Sequence, residues 1–401
     1  MKILLLENIN EVAKKELESF GHEVEEVAHA PTEEELIPLL KNYDGVGIRS
    51  KTKLTEKVLK ESSHLSVVGC FCIGVNQVDL KTAHRLGIPV FNAPHANTRS
   101  VAELVISEII ALGRGLFDKS SNAHLGKWTK SAVNSFEVRG KTLGIIGYGH
   151  IGNQVSILAE SLGMNVLFYD VVKKLPLGNA RQVPTLKELL SSSDFTTLHV
   201  PAAPDTREMM GEREFSYMKE GSYLLNLSRG SVVDIMALKA ALESGRLNGA
   251  AVDVFPVEPA SNNDTFTSPL QGQQNVILTP HIGGSTQEAQ VNIGLEVSAA
   301  FMKYLDFGSS LGAVNFPNAD LPARVNTARI TNIHRNRPGV LSRVNTIISD
   351  LGINIASQAL STQDELGYLI MDVDVDDAHE LYERIKAEEN SLNTRLLGPK
   401  A

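Results

Sequence analysis

The chain has 401 residues, 42% of them hydrophobic, and a formal net charge of −9 at pH 7. That length allows two or three domains with sizeable cores, and an acidic chain without long basic runs is a poor ligand for nucleic acid or an anionic membrane surface. No apolar run approaches the length of a membrane span, and the one near the start is too short for a signal peptide, so a cytoplasmic location is expected.

The first stretch alternates strand-like and helix-like patterns. Residues 3–6 read as a strand and 10–20 as a helix stopped by Gly21. Further strands are predicted at 46–49, 67–71 and 89–91, with helices over 32–40 and 55–60. This rhythm predicts a parallel sheet covered on both faces. The two cysteines, Cys70 and Cys72, fall in V-G-C-F-C-I-G. No second Cys/His pair has metal-site spacing, which favours buried thiols over metal or redox chemistry; no metal site is expected.

Residues 97–126 change character. Ser100-Val-Ala-Glu103 reads as a capping box. It opens a long amphipathic helix that carries Val101, Leu104, Val105, Ile109, Leu112 and Leu116 and crosses into a second domain. A charged segment with Trp128 and Lys130 follows.

A buried strand is predicted at 142–146, a helix at 150–162 and a second strand at 164–169, closed by Asp170. Between the first two lies G-Y-G-H-I-G, from Gly147 through Gly149, His150 and Ile151 to Gly152. Gly147 permits a tight turn, Gly149 lets backbone approach a pyrophosphate, and Gly152 lets helix and strand pack closely. The helix N-terminus offers unpaired N–H groups and a positive dipole end to phosphates. Asp170 stands where a carboxylate bonds ribose hydroxyls and repels a 2′-phosphate, so NAD is the expected cofactor.

Later strands are predicted at 196–200, 223–226, 249–253 and 276–278. Three segments near their ends carry chemistry: L-N-L-S-R-G with Arg229, D-V-F-P-V-E-P with Glu258, and L-T-P-H-I-G-G-S with His281. Hydride exchange with a hydroxy acid needs a cation for the carboxylate and a proton carrier that works near neutrality. A guanidinium fork suits the carboxylate. If Glu258 bonds one nitrogen of His281, it fixes the tautomer, and the other nitrogen takes or gives the substrate proton. On spacing alone, Arg229 reads equally well as a surface arginine, while Glu258 reads more readily as a loop carboxylate and His281 as a structural histidine.

Residues 287–305 predict a helix with Val291, Ile293, Leu295, Val297 and Phe301 apolar, able to return to the first domain. Residues 315–322 carry two prolines and read as a linker. From Val325 the tail predicts strands at 326–334, 354–360, 368–375 and 391–397, with helices at 339–350 and 378–386. That βαββαβ order is a ferredoxin-like module. The expected fold class is α/β: two doubly wound parallel-sheet domains, Rossmann- and flavodoxin-like, then a ferredoxin-like domain. The expected domains are 1–96 with 287–318 for substrate, 97–286 for NAD, and 325–401 for regulation.

The glycine turn, L-S-R-G, V-F-P-V-E-P and T-P-H-I-G-G-S, in this order, resemble the D-isomer-specific 2-hydroxyacid dehydrogenases. F-C-I-G-V-N-Q-V-D, F-N-A-P, N-T-R-S-V-A-E, V-N-F-P and the tail motif H-R-N-R-P-G resemble the branch of that family that acts on 3-phospho-D-glycerate and carries an ACT domain. The resemblance spans essentially the whole chain. It implies NAD-dependent interconversion of 3-phospho-D-glycerate and 3-phosphohydroxypyruvate, the first step of L-serine biosynthesis. It implies that Arg229, Glu258 and His281 are catalytic. It places His150, Ile151 and Asp170 on the pyrophosphate and ribose, and Asp253, Gly283, Gly284 and the segment Leu227, Ser228, Arg229 about the cofactor. Arg49, Ser50, Asn97 and Lys130 match substrate-binding positions, and Lys51 stands where near relatives carry arginine. His334, Asn336 and Asn354 match positions that bind L-serine as an effector. Paired ACT sheets and a second subunit contact imply a homotetramer. Other readings are a reductase of 2-oxoglutarate, hydroxypyruvate or glyoxylate in the same family, and a non-catalytic NAD(H)-sensing protein.

Overall fold

The computed structural model describes residues 1–259, 263–322, 327–375 and 377–398. It divides into two compact units, Met1–Ala96 with Gln290–Ala401, and Asn97–Ala289. No helix among the described residues is long and apolar enough to cross a membrane.

The first unit opens with β1 (Lys2–Leu6), α1 (Glu11–Ser19), β2 (Glu23–Val27), α2 (Glu33–Leu40), β3 (Gly45–Ile48), α3 (Glu56–Glu61), β4 (Val67–Cys70), α4 (Leu80–Arg85) and β5 (Val90–Asn92). Its strands are parallel, in the order β2-β1-β3-β4-β5. That is the flavodoxin-like order. Every residue of β3 and β4 is buried, as expected of strands covered on both faces. Side chains of Asn10, Thr32, Thr55 and Asp79 accept from first-turn N–H groups and start the four helices. Two elements escape the sequence pattern. In β2 only Val24 is buried, among glutamates on an edge, and α4 is a six-residue helix.

The second unit holds α5 (Thr98–Arg114), α6 (Leu116–His124), β6 (Thr142–Ile146), α7 (His150–Ser161), β7 (Asn165–Tyr169), β8 (Arg181–Gln182), α8 (Leu186–Ser192), β9 (Phe195–Leu198), α9 (Glu212–Tyr217), β10 (Ser222–Asn226), α10 (Ile235–Glu243), β11 (Leu247–Val252) and β12 (Val276–Leu278). Seven parallel strands run β12-β11-β10-β9-β6-β7-β8. The order reverses between β6 and β9, the place where such sheets bind ligands beyond their carboxyl ends. The predicted crossing helix is in fact two, broken where Gly115 takes φ 55°. The predicted capping box is absent. Asn97 is the N-cap, Ser100 Oγ lies 2.8 Å from Thr286 Oγ1, and Glu103 instead accepts from Arg99 at 2.7 Å.

α11 (Gln287–Phe307) buries Ile293, Val297 and Phe301 with Ile3, Leu5, Val67 and Phe71 of the first unit. Val291 and Leu295, expected on that apolar face, are 37% and 39% exposed. Residues two apart point in different directions on a helix, and the buried row is spaced by four. Residues 315–322 also differ from the expected linker. Asn315 Oδ1 accepts from Val90 N at 2.8 Å and its Nδ2 donates to Ile88 O at 3.0 Å, while Phe316 is fully buried. The asparagine side chain pairs with backbone at β5, so the proline-containing stretch is held against the first unit rather than freed.

The tail comprises β13 (Ala328–Arg335), α12 (Val340–Asp350), β14 (Ile355–Gln363), β15 (Leu366–Val373), α13 (His379–Lys386) and β16 (Ser391–Leu397), in an antiparallel sheet ordered β14-β15-β13-β16. The predicted start at Val325, and of the first strand at 326, lies outside the described residues. All eight residues of β15 are buried. Leu369, Met371 and Val373 pack with Val344 and Ile348 of α12 and Leu381 and Ile385 of α13, while Tyr368 and Ile370 join Tyr304 and Phe316 on the other face. Arg329 is 7% exposed and forks onto Asp372 at 2.7 and 2.8 Å. It also donates to the carbonyl of Phe307 at the end of α11 and to those of Leu321 and Pro322 before β13.

Candidate active site and effector site

The glycine turn is shaped by its neighbours. Gly147 takes φ +90°, and a Cβ there would lie 2.4 Å from the His199 carbonyl oxygen. A Cβ on Gly152 would lie 2.4 Å from the Gly147 oxygen, so α7 and the turn can touch only through glycine. Gly149 has open space around its Cα and caps α7 without a side chain. His150 is exposed and Ile151 half-buried beside it. Asp170 accepts from Tyr148 N and from Val172 N, each at 2.9 Å, which holds a carboxylate at the end of β7 beside the turn. An open, uncapped helix start next to a fixed carboxylate fits the pyrophosphate and ribose of a dinucleotide.

His281 and Glu258 meet. His281 Nδ1 lies 2.8 Å from Glu258 Oε2, and Phe255 N donates to Glu258 Oε1 at 3.0 Å. The carboxylate is thus fixed by backbone before it orients the ring. His281 has φ 53°, a conformation uncommon for this residue, and its N–H donates to the carbonyl of Asp253 at 2.9 Å. Its side chain is 51% exposed, and Nε2 has no hydrogen-bond partner among the described residues.

Arg229 is exposed at the start of the turn that follows β10, its Nη1 donating to Ser228 O at 2.7 Å. Leu227 and Ser228 beside it are 6% and 7% exposed. The next residue links this segment to the Glu258 loop. A Cβ on Gly230 would fall 2.0 Å from the Phe255 carbonyl carbon. The R-G pair therefore lies against F-P-V-E-P. Asp253 is 1% exposed and accepts from Thr279 Oγ1 at 2.6 Å, Ile282 N at 2.8 Å and Gly283 N at 2.8 Å. It braces the loop that presents His281. Gly284 lies against Asn97, whose Nδ2 would be 2.4 Å from an added Cβ.

Two organising residues escape sequence reasoning. Asn226 Oδ1 accepts from Ser228 N at 3.1 Å and Oγ at 2.8 Å, and its Nδ2 donates to Arg229 O at 3.1 Å. An asparagine closing a buried strand is the available signal. In the first unit, Glu7 follows β1 with φ 65° and accepts from the backbone N–H groups of Arg49, Lys51 and Thr52 at 3.1, 3.0 and 2.8 Å. Arg49 Nη2 donates to Gln290 Oε1 at 2.9 Å. Ser50 and Lys51 are exposed between them. Lys130 is exposed in the second unit, near Trp128, which is 89% exposed.

The tail residues separate. His334 is 3% exposed, with Nδ1 3.0 Å from Asn332 Oδ1 and its ring against Gly367, and burial lowers its pKa below the ordinary imidazole range. Asn336 is exposed and donates to Asp364 O at 3.1 Å. Asn354 is exposed at the other end of the sheet, donating to Asp374 Oδ2 at 3.0 Å. His334 pairs with Gly367, and Ile355, next to Asn354, pairs with Val373. Six steps along a strand put Asn354 about 20 Å from His334 within one chain.

Residues 106–283 match the family model described as D-isomer specific 2-hydroxyacid dehydrogenase, NAD binding domain, and residues 330–391 match an AHAS small subunit-like ACT domain. A D-3-phosphoglycerate dehydrogenase of Dictyostelium discoideum is 52% identical over 397 residues, covering 99% of this chain and 97% of the relative. That of Escherichia coli strain K12 is 53% identical over 400 residues, with the same coverage. Among solved structures, the TT0316 protein of Thermus thermophilus superposes with a TM-score of 0.69 at 29% identity, covering 78% of this chain and all of the other. A formate dehydrogenase from Staphylococcus aureus in complex with NAD gives 0.64 at 28% identity, covering 77% and 96%.

Proposed function

Because this chain belongs to the D-3-phosphoglycerate dehydrogenases, within the D-isomer-specific 2-hydroxyacid dehydrogenases, we propose that His281, Glu258 and Arg229 carry its reaction. That reaction is the NAD-dependent interconversion of 3-phospho-D-glycerate and 3-phosphohydroxypyruvate, the first step of L-serine biosynthesis. The supporting observation is the 2.8 Å pair of Glu258 and His281, with Nε2 left open. Glu258 holds Nδ1 as the donor, so Nε2 takes the hydroxyl proton on oxidation and returns it on reduction. Arg229 pairs with the carboxylate and the developing carbonyl oxygen. NAD, when bound, supplies the exchange partner for the hydride.

Gly147, Gly149, His150, Ile151 and Gly152 receive its pyrophosphate and Asp170 its ribose. Leu227, Ser228, Asp253, Gly283 and Gly284 line the nicotinamide end. Arg49, Ser50 and Lys51 bind substrate in the first unit; in the second unit Lys130 takes a substrate phosphate and Asn97 the carboxylate or hydroxyl. Lys51 offers charge without a fork. The direct test is NADH oxidation with 3-phosphohydroxypyruvate. Steady turnover supports the reading, and no turnover on that substrate overturns it.

L-serine as effector rests on the tail. His334, Asn336 and Asn354 offer imidazole and amides that satisfy a carboxylate, an ammonium and a hydroxyl. Their separation within one chain favours a site shared by two copies. A second contact through the exposed Leu116, Phe117, Leu125 and Trp128 would complete a homotetramer in the cytoplasm. Millimolar serine inhibits if this is right; a flat response removes the effector reading alone. Sedimentation tests the assembly.

A further inference from the structure

α5 carries two acids with opposite fates. Glu103 is exposed and paired with Arg99. Glu108 is 2% exposed, and neither carboxyl oxygen has a hydrogen-bond partner among the described residues. Val101, Val105, Glu108 and Leu112 recur on one helical face. The Val101 Cγ2 methyl would lie 3.5 Å from a Cβ on Gly283, after β12, and the Leu112 carbonyl accepts from Asn275 Nδ2, before β12, at 3.4 Å. This face therefore runs beside β12, with its Val101 end at the loop that Asp253 braces and Glu108 about two turns further along.

A carboxylate without partners is costly in such a place, whereas a neutral acid is tolerable. Burial, and then the charge of Asp253, push the Glu108 pKa up to about 8. The other elements packed on α5 bring Tyr223 on β10, His150 and Glu160 on α7, and Asp118, Lys119 and His124 on α6, while β11 and β12 themselves carry no ionisable side chain. None of these groups hydrogen-bonds to Glu108 among the described residues.

We infer that Glu108 is a positioning residue: as a neutral acid it lets the Val101–Leu112 face of α5 pack against β12 and against the Gly283 loop that Asp253 holds, and with that loop the seat of His281. Once ionised, it leaves an unpaired charge in the dry face by which α5 packs on β12, and the seat loosens. The inference rests on His281 as the proton carrier, but its signature is separable from that reading.

The experiment compares the full-length wild type with Glu108→Gln and Glu108→Leu, both uncharged at every pH. Turnover of 3-phosphohydroxypyruvate by NADH is followed from about pH 7 to about pH 9.5. Glu108→Gln should stay within about twofold of wild type at pH 7, and the ratio of variant to wild type should rise about fivefold or more by pH 9.5, because titration of His281 is common to both and cancels while only wild type loses the Glu108 proton. Melting provides a readout independent of chemistry. A carboxyl whose pKa is raised on folding costs stability progressively as pH rises from the ordinary carboxylate range through its folded value. Each variant should therefore gain in melting temperature over wild type between pH 6 and pH 9. A flat activity ratio, or a melting difference equal at both pH values, overturns the inference. An inactive wild type would instead overturn the proposed reaction while leaving the melting comparison intact.

Discussion

His281 and His334 stand in motifs of equal prominence, yet the two units give them opposite chemistry. His281 sits on a loop at positive φ, half exposed, with a carboxylate on Nδ1. His334 sits in a strand, 3% exposed, with an amide oxygen on Nδ1, and burial disfavours its charged form. A ring with an anionic partner and an open second nitrogen can carry a proton. A ring kept neutral by burial can only donate or accept a hydrogen bond. The residue type suggests a site; the partner and the exposure decide between chemistry and recognition.

That contrast can be broken from either side. Arg229→Ala should lower kcat/KM by about a hundredfold or more, because the substrate carboxylate loses the group that orients it. Arg229→Lys should recover little, since the fork is lost. Glu258→Gln should cost about tenfold to a hundredfold in kcat, as expected when a partner that fixes an imidazole tautomer is removed. Gly230→Ala should destabilise the second unit by about 1–3 kcal/mol through overpacking against Phe255 and reduce turnover, seen as a lower melting temperature with weaker activity.

On the tail side, Asn354→Ala should raise the serine concentration for half-inhibition about threefold to tenfold, the cost of one hydrogen bond, with turnover unchanged. The smallest effect concerns pH. Since the folded pKa of His334 is lowered, the unfolded chain binds its proton more readily. Stability of the tail should fall modestly as pH drops below the ordinary imidazole range, and His334→Gln should remove that sensitivity in a melting series.

Much of this arrangement is legible in the residues. Strands buried on both faces announce themselves as apolar runs, and the glycine turn with Asp170 marks the nucleotide unit. The illegible parts share a cause: hydrogen bonds to backbone leave no periodic trace. Glu7 organises the Arg49–Lys51 loop through backbone N–H groups, and Asn226 and Asp253 do so for the turns that carry Arg229 and His281. Asn315 turns a proline-rich stretch into a partner for backbone at β5. β2 is hidden because an edge strand with one buried residue has no apolar alternation. The meeting of Glu258 and His281, and the close approach of Gly230 to Phe255 beside it, are long-range contacts that spacing does not encode. The split of His334 from Asn354 needs the antiparallel register of three strands.

The central claim is that His281, oriented by Glu258, carries the substrate proton. The most direct measurement is a single turnover of 3-phosphohydroxypyruvate by prebound NADH in wild type and His281→Ala, with NADH affinity measured alongside. The account predicts a rate lower by about 10²–10⁴-fold, the usual worth of a positioned acid or base, with NADH binding and melting unchanged. A rate within threefold of wild type would contradict it.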